Sequence, residues 1–218
     1  MPDSPMMLIG FLSDFGDENI LWPLMALISL VLILQGRYRI FLYYSALVLL
    51  VFGGTLILKL CFEACGRLPG QSLYSPSGHT AGTTFVYGGA AVLFSRSPRT
   101  CLALAFGIAL FAGCARIALH VHSPAEVAVG ASVGLLGVLF LTLARKNELH
   151  APEARAWLNR PVIFLITGGL VLTMVLHGLR SPAEAWLEYF SHQFVAPLMR
   201  CPVTPPAFQE PHHHDLGK

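Results

Sequence analysis

The chain has 218 residues, of which 55% are hydrophobic and only 12% are charged, whereas an ordinary soluble domain carries about 25% charged residues. This composition excludes an ordinary soluble domain. The net charge of +2 says little by itself, and we expect no nucleic-acid partner.

Apolar residues are grouped in six blocks, each close to the ~20 residues that a helix needs to cross a ~30 Å hydrocarbon core. The blocks cover residues 19–35, 40–62, 78–95, 101–119, 124–143 and 161–179. We therefore predict an all-α polytopic membrane protein with about six transmembrane helices. Residues 1–18 contain no Lys or Arg, so a secretory signal peptide is not expected, and residues 5–12 suggest a short interfacial segment.

Basic residues are concentrated in the loops that follow the first, third and fifth blocks. These residues are Arg37, Arg39, Arg96, Arg99, Arg145, Lys146, Arg155 and Arg160. Short loops rich in Lys and Arg remain cytoplasmic. We therefore expect the loops near 63–77 and 119–123 to face the other side, which in a bacterium-like cell is the periplasm, with the chain in the inner membrane.

The last part of the chain differs from the apolar blocks. We assign residues 1–180 to the membrane domain and residues 181–218 to an outer-face segment and tail. Apolar and acidic residues between 181 and 200 suggest either a helix on the membrane interface or a helix packed on the bundle. The three histidines at 212–214 are interpreted as part of a solvated tail rather than a metal site.

Polar residues with possible chemistry flank the loop before the third block. The first cluster consists of Lys59, near the end of the second block, and Arg67, which follows in the loop. Such a lysine either binds an anion or extends its ammonium group to the interface. The second cluster is Ser77, Gly78 and His79, at the start of the third block. Ser77 is a natural N-cap of the predicted helix, Gly78 lets an anion approach its backbone, and His79 lies in its first turn. This helix N-terminus suits a phosphate, although a plain cap before an interfacial histidine also explains it.

A third cluster, Arg116, His122 and Glu126, spans the turn between the fourth and fifth blocks. The guanidinium group of Arg116 fits phosphate oxygens, or it compensates the helix dipole. Glu126 lies four residues after His122, so its carboxylate can hold one ring nitrogen and make the other more basic. The sequence SPAE at 123–126 is also a capping box, and it recurs at 181–184. Glu126 thus either orients His122 or caps its own helix, and one conformation is not expected to do both.

All three clusters fall on the same predicted face of the membrane. Together they offer cations, a helix N-terminus and two histidines. Phosphoryl transfer needs positioning and charge stabilisation of the phosphoryl oxygens, a nucleophile and an acid for the leaving oxygen. The sequence therefore predicts one phosphate site rather than three unrelated clusters.

These residues resemble the three-part signature of the type 2 phosphatidic acid phosphatases, which share their helical core with the vanadium haloperoxidases and bacterial acid phosphatases. The resemblance covers roughly residues 55–135. It implies that His122 is the nucleophile that forms a phosphohistidine, that Glu126 holds its ring, and that His79 protonates the leaving oxygen. It also implies a phosphate cradle made of Lys59, Arg67, Ser77, Gly78 and Arg116.

Two features depart from the family pattern. Seven residues separate Lys59 from Arg67, one more than is usual, and Glu126 stands where the family has Asp. The family's phosphatases need no metal, so we expect no metal or cofactor. The expected partners are the bilayer and a membrane lipid phosphate or diphosphate, such as undecaprenyl diphosphate, phosphatidic acid or phosphatidylglycerol phosphate.

Two other functions remain open from the sequence. A lipid phosphotransferase would use the same phosphohistidine with a hydroxyl acceptor, and a non-catalytic protein would only bind the phospholipid. The sequence gives no support for a particular oligomeric state. Gly130, Gly134 and Gly137 in the fifth block permit close helix packing, either within one chain or between chains.

Overall fold

The fold is all-α, as the sequence predicts. The computed structural model describes residues 4–64, 73–94, 97–146, 167–169, 171–172, 174–176, 187 and 189–199. Six helices form the main body, namely α1 (Ser4–Asp14), α2 (Glu18–Leu34), α3 (Tyr38–Ala64), α4 (Gly78–Phe94), α5 (Pro98–Ala118) and α6 (Pro124–Lys146). Later in the chain lie a short apolar helix, Thr167–Leu176, a π-helical turn, Ser191–Val195, and a last helical turn, Ala196–Met199.

The predicted count of six membrane spans is not confirmed. Within the described ranges, four helical stretches are long and apolar enough to cross a membrane, namely Met6–Leu34, Tyr38–Ala64, Pro98–Ala118 and Pro124–Arg145. The first stretch joins α1 to α2 and begins well before the block predicted from residue 19. The Thr167–Leu176 helix is shorter than a full span, and α4 has 17 residues.

Helix α4 is short because it forms the centre of the bundle rather than a lipid-facing wall. It packs against α2, α3, α5 and α6, and 12 of its 17 residues are buried. Phe85 is fully buried and stacks on Tyr44 of α3, with ring centroids 5.7 Å apart. A helix enclosed by protein does not have to match the thickness of the lipid, so its length follows from its neighbours.

The three glycines of α6 allow it to pack closely on α4 within the same chain. A Cβ atom at Gly130 would overlap with the carbonyl oxygen of Ser77, and one at Gly137 would overlap with the ring of Phe85. Small residues at helix interfaces permit such close backbone approach. The contact fixes the N-terminus of α4 beside the N-terminus of α6.

Two helices end in the same kind of turn. After α2, Gly36 has a φ of 69°, and after α5, His120 has a φ of 56°. Around His120, Val121 N–H donates to the carbonyl of Arg116 at 3.2 Å, and His120 N–H donates to the carbonyl of Ile117 at 2.9 Å. This pair of bonds is a Schellman motif. It reverses the chain within four residues and delivers His122 to the start of α6.

The C-terminal end of α4 is held by arginines from the predicted cytoplasmic loops. Arg145 Nη1 donates to the carbonyl oxygen of Val92, and Arg37 Nη1 donates to that of Leu93 at 3.5 Å. The last carbonyl groups of a helix have no partner within it, and cations there compensate its dipole. Arg37 and Arg145, two of the basic residues in the predicted cytoplasmic loops, therefore lie at the same end of the bundle.

The described part of the C-terminal segment packs on the bundle beside the C-terminal end of α3. Ser191 is fully buried, and its hydroxyl donates to the carbonyl of Leu60 at 2.9 Å. Phe190 and Phe194 stack on each other with centroids 5.3 Å apart and remain exposed. The segment is thus packed against α3 with an aromatic face turned outward. Residues 181–186 and 200–218 lie outside the described residues.

Candidate active site

Ser77 caps α4 as predicted. Its hydroxyl accepts the Thr80 N–H at 3.3 Å and lies 2.9 Å from the Thr80 hydroxyl, and its own N–H donates to the carbonyl of Glu126 at 3.1 Å. Gly78 and His79 are the first two residues of the helix. Their N–H groups belong to the first turn, which has no acceptors within the helix.

Lys59 lies beside this helix N-terminus. A Cβ atom added to Gly78 would be 3.6 Å from Cε of Lys59, so the lysine stem passes directly over Gly78. The other half of the first predicted cluster, Arg67, lies outside the described residues, and its role in phosphate binding stays a prediction.

Arg116 lies in the last turn of α5 and is partly buried. Its charge acts on both His79 and His122, while the charge of Lys59 acts on His122. The described members of all three predicted clusters are therefore together at one end of the bundle. This end is opposite to the one where Arg37 and Arg145 bind α4.

His122 is held in one orientation by Glu126. The distance from His122 Nδ1 to Glu126 Oε2 is 3.1 Å, and only 9% of the histidine side chain is exposed. Burial lowers the pKa of His122, an effect that the Glu126 hydrogen bond opposes and the positive charge of Arg116 reinforces. The ring is therefore neutral at neutral pH. A proton on Nδ1 then leaves the Nε2 lone pair available for nucleophilic attack.

The carboxylate of Glu126 does both of the jobs that the sequence left as alternatives. Its Oε2 accepts the Nδ1–H of His122 and also the N–H of Ser123 at 2.9 Å. The Ser123 hydroxyl in turn accepts the Glu126 N–H at 3.3 Å, which completes the capping box. One conformation serves both because the cap and the ring nitrogen approach the same oxygen from different sides.

The second oxygen of Glu126 binds a part of the chain that the sequence did not indicate. Oε1 accepts the N–H groups of Tyr74 and Ser75, each at 3.0 Å. With four donors the buried carboxylate is fully satisfied as an anion. These contacts are made by backbone groups more than 50 residues away along the chain, so no side-chain pattern could reveal them.

A second buried acid holds the same loop from α3. Glu63 is 8% exposed, and its Oε1 accepts the hydroxyl of Ser75 at 2.6 Å. None of the predicted clusters includes Glu63, although an acidic residue one turn after Lys59 at the end of an apolar helix is a signal that could have found it. Residues 74–77 are thus fixed from two sides, by Glu63 and Glu126.

His79 contacts residues 13–17, which comprise the last two residues of α1 and the connection to α2 and are called the α1–α2 turn below. Its Nδ1 is 3.5 Å from Oδ1 of Asp17, and 10% of its side chain is exposed. Its Nε2 is 3.4 Å from the hydroxyl of Ser13. We predicted residues 5–12 to be an interfacial segment and assigned no part of the N-terminus to the site. The acidic residues before the first block were the available signal.

The assembled groups have the chemical character of a site for a tetrahedral anion. A neutral histidine held by a carboxylate, a second histidine, two cations and a helix N-terminus lie together at one end of the bundle, and these are groups that bind and transfer phosphate. Within the part of the chain that the structure describes, no three His, Cys, Asp or Glu side chains are grouped so that they could hold a metal ion.

Comparison with known proteins agrees with this chemistry. The family model described as the PAP2 superfamily matches residues 24–149, which is more than half of the 218 residues. No curated protein and no solved structure gives a significant match. The match includes every predicted site residue, and it agrees with the resemblance to the type 2 phosphatidic acid phosphatases. The chain therefore belongs to the PAP2 superfamily, whose members are generally phosphatases that act on lipid-like phosphates.

Proposed function

We propose that the protein removes phosphate from a membrane lipid phosphate or diphosphate through a phosphohistidine on His122. The observation that carries this proposal is the position of Glu126, whose carboxylate binds both the His122 ring and the backbone before the N-terminus of α4. A single group thereby keeps the nucleophile in register with the phosphate cradle. Such fixed geometry is what phosphoryl transfer requires.

The first step transfers the phosphoryl group to the enzyme. The lone pair of His122 Nε2 attacks phosphorus, and the bond between phosphorus and the lipid oxygen breaks. Burial and the charge of Arg116 lower the pKa of His79 to about 3 in the free protein, and we infer that the negative charge of the bound phosphate group raises it, so that the ring is protonated in the complex. His79 then gives this proton to that oxygen, so the lipid leaves as an alcohol, or as a monophosphate if the substrate was a diphosphate. The phosphorylated His122 keeps its Nδ1 proton and carries a positive charge, which the Glu126 carboxylate stabilises.

The second step returns the enzyme to its starting state. Water attacks phosphorus, and the now neutral His79 accepts a proton from this water. The bond between phosphorus and Nε2 breaks, and its electron pair returns to His122. In both steps Lys59, Arg116, Ser77 and the Gly78 N–H stabilise the phosphoryl oxygens, and Arg67 is proposed to join them.

The surroundings of the site support a lipid as the substrate. Two α3 residues near Lys59, Leu56 and Ile57, are exposed to 44% and 61%, as expected for a surface that contacts lipid tails. A lipid can therefore keep its tail in the bilayer while its phosphate reaches the helix ends. With the site on the outer face of a cell inner membrane, undecaprenyl diphosphate is our preferred substrate over phosphatidic acid and phosphatidylglycerol phosphate.

Phosphate release from a panel of these lipids by detergent-purified protein, with a chelator present, tests the proposal. We expect release by the parent and by His120→Asn, and none by His122→Ala. His120 is the matched control because it lies two residues away and is exposed, and Asn tolerates its left-handed backbone. Phosphate retained on the denatured parent, but not on His122→Ala, would identify the intermediate.

Two results would contradict the proposal. Product formed only when a lipid hydroxyl acceptor is added would show a phosphotransferase. Lipid binding without turnover by a folded parent would show a binding protein.

A further inference from the structure

The α1–α2 turn contacts one continuous stripe of α4. Three residues of that stripe, His79, Thr83 and Tyr87, are spaced four apart and so lie on the same face of the helix. The hydroxyl of Tyr87 donates to the carbonyl of Phe15 at 2.8 Å. At the other end of the stripe, both ring nitrogens of His79 face groups of the turn.

Gly16 allows the backbone of the α1–α2 turn to approach α4 closely. A Cβ atom at Gly16 would overlap with the hydroxyl of Thr83 and with the ring of His79. The Thr83 hydroxyl is fixed by its own bond to the carbonyl of His79, at 2.7 Å. Tyr87 and Thr83 therefore set the position of the turn, and the turn sets the position of the groups next to His79.

The two groups beside His79 have different chemical properties. Asp17 faces Nδ1 at 3.5 Å and is 38% exposed, so it is in contact with solvent. Ser13 faces Nε2 at 3.4 Å and is 6% exposed. A carboxylate at Nδ1 favours a proton on that nitrogen and so acts in favour of the imidazolium form, against the burial and the Arg116 charge that lower the pKa of His79. When the ring is protonated on both nitrogens, the serine hydroxyl at Nε2 accepts a hydrogen bond, and the leaving oxygen of a phosphate ester can take its place.

From this geometry we propose that Asp17 is a positioning residue for the acid His79, so that the α1–α2 turn is part of the active site. The inference rests on the proposed function, because it assigns the partner of the group that protonates the leaving oxygen. The site then has two histidine–carboxylate pairs, one for the nucleophile and one for the acid. Residues 13–17 lie before the segment matched by the family model, which begins at residue 24.

The proposal predicts an effect that depends on the leaving group. An alkyl phosphate releases a basic alkoxide oxygen that needs a proton, whereas p-nitrophenyl phosphate releases a stable phenolate that needs little acid catalysis. Asp17→Asn should therefore slow hydrolysis of the alkyl phosphate about tenfold, a part of the ~10²–10⁴ that general acid catalysis supplies. Hydrolysis of p-nitrophenyl phosphate should change less than about twofold, since the nucleophilic step is retained.

The experiment measures kcat for both substrates with the full-length parent, Asp17→Asn, Gly16→Ala and Glu18→Gln. Gly16→Ala displaces the His79 ring without removing a charge and should show the same selective loss. Glu18 is the matched control, because it is the next residue and its side chain is exposed, so Glu18→Gln should match the parent. Equal kcat for Asp17→Asn and the parent on both substrates, or an equal loss on both, would overturn the role of Asp17. A folded parent inactive on both substrates would instead overturn the proposed function, and this inference with it.

Discussion

The two ends of α4 both attract cations, but they use them in opposite ways. At the C-terminal end, the guanidinium groups of Arg145 and Arg37 donate to carbonyl oxygens of the last turn. Positive charge there meets the negative pole of the helix dipole and stabilises the fold. The carbonyl oxygens of Val92 and Leu93 thus have their partners in side chains of the same chain.

At the N-terminal end, positive charge is added to the positive pole. Lys59 lies over Gly78, and the charge of Arg116 acts on both His79 and His122. Such an arrangement is electrostatically unfavourable for the fold alone and becomes favourable when an anion binds. Comparison of the two ends thus teaches which cations serve stability and which serve the proposed phosphate chemistry.

The largest effect on kcat is expected from Glu126→Gln, at the N-terminal end of α4. Glu126→Gln replaces one acceptor oxygen with an NH₂ group, which would face two N–H donors in either orientation of the amide. A displacement of His122 by about 1 Å costs about 100-fold in rate, and we expect at least that loss in kcat. Stability should fall as well, by about 1–3 kcal/mol, because buried donors lose their acceptor.

Phosphate release and the denaturation midpoint of the Glu126→Gln variant, measured in the same detergent, check both parts. Unchanged turnover per folded molecule would refute the role of Glu126 in holding the nucleophile.

At the other end of α4, Arg145→Met should affect stability alone. The substitution leaves the buried carbonyl of Val92 without the Arg145 donor, which costs about 1–3 kcal/mol. A lower midpoint of chemical denaturation, with kcat per folded molecule equal to that of the parent, is the expected result. A tenfold fall in kcat at an unchanged midpoint would mean that the C-terminal end also takes part in catalysis.

The pH dependence of the enzyme should report the charges at the N-terminal end. The pKa of His122 is lowered by burial and by Arg116 and Lys59, against the opposing effect of Glu126. His122, the proposed nucleophile, therefore stays neutral as the pH falls through the ordinary histidine value of about 6.5, and we expect kcat/KM to be lost only at lower pH.

Lys59→Gln removes one of the lowering charges. The acid limb of the kcat/KM profile should then move to higher pH, in addition to any fall in its plateau. His79 also lies near His122, so the limb should be measured in His79→Gln as well. An acid limb that moves to lower pH in Lys59→Gln would contradict the assignment to His122.

The smallest effects are expected from substitutions in the turns that follow α2 and α5, at Gly36 and His120. Gly36→Ala places a side chain at a φ of 69°, and His120→Gly removes one from a φ of 56°. A left-handed backbone costs a non-glycine residue about 1 kcal/mol. We expect the first change to lower and the second to raise the free energy of unfolding by about that amount, with kcat unchanged. Opposite signs in the two denaturation midpoints are the measurement, and a loss of stability in His120→Gly would show that the imidazole itself stabilises the turn.

The sequence predicted the parts of this molecule that depend on local patterns. The long apolar blocks predicted the main helices. The Ser77 cap and the pairing of His122 with Glu126 could be predicted because each involves residues within about one helical turn. The basic loops also indicated that the three clusters share one end of the bundle, where the structure places Lys59, Ser77, Gly78, His79, Arg116, His122 and Glu126.

The parts that the sequence did not predict depend on contacts between distant segments. Glu126 binds the backbone of Tyr74 and Ser75, and backbone donors are the same for every residue type except proline. The contact of Asp17 with His79 depends on how the α1–α2 turn packs on α4. The predicted count of six spans is not confirmed, because hydropathy does not distinguish a helix buried in protein, such as α4, from one that faces lipid.

The way in which Glu126 holds its loop has a consequence for how substrate preference can evolve. Because the carboxylate binds the N–H group of Tyr74 and not its side chain, this anchor persists when residue 74 is exchanged for any residue other than proline. If the proposed function holds, drift at that position, next to the proposed site, can therefore change which head group is accepted while the contacts of Glu126 are retained. A library randomised at position 74 and screened on several lipid phosphates should thus be rich in active members with altered preference, whereas a library at position 126 should contain almost none.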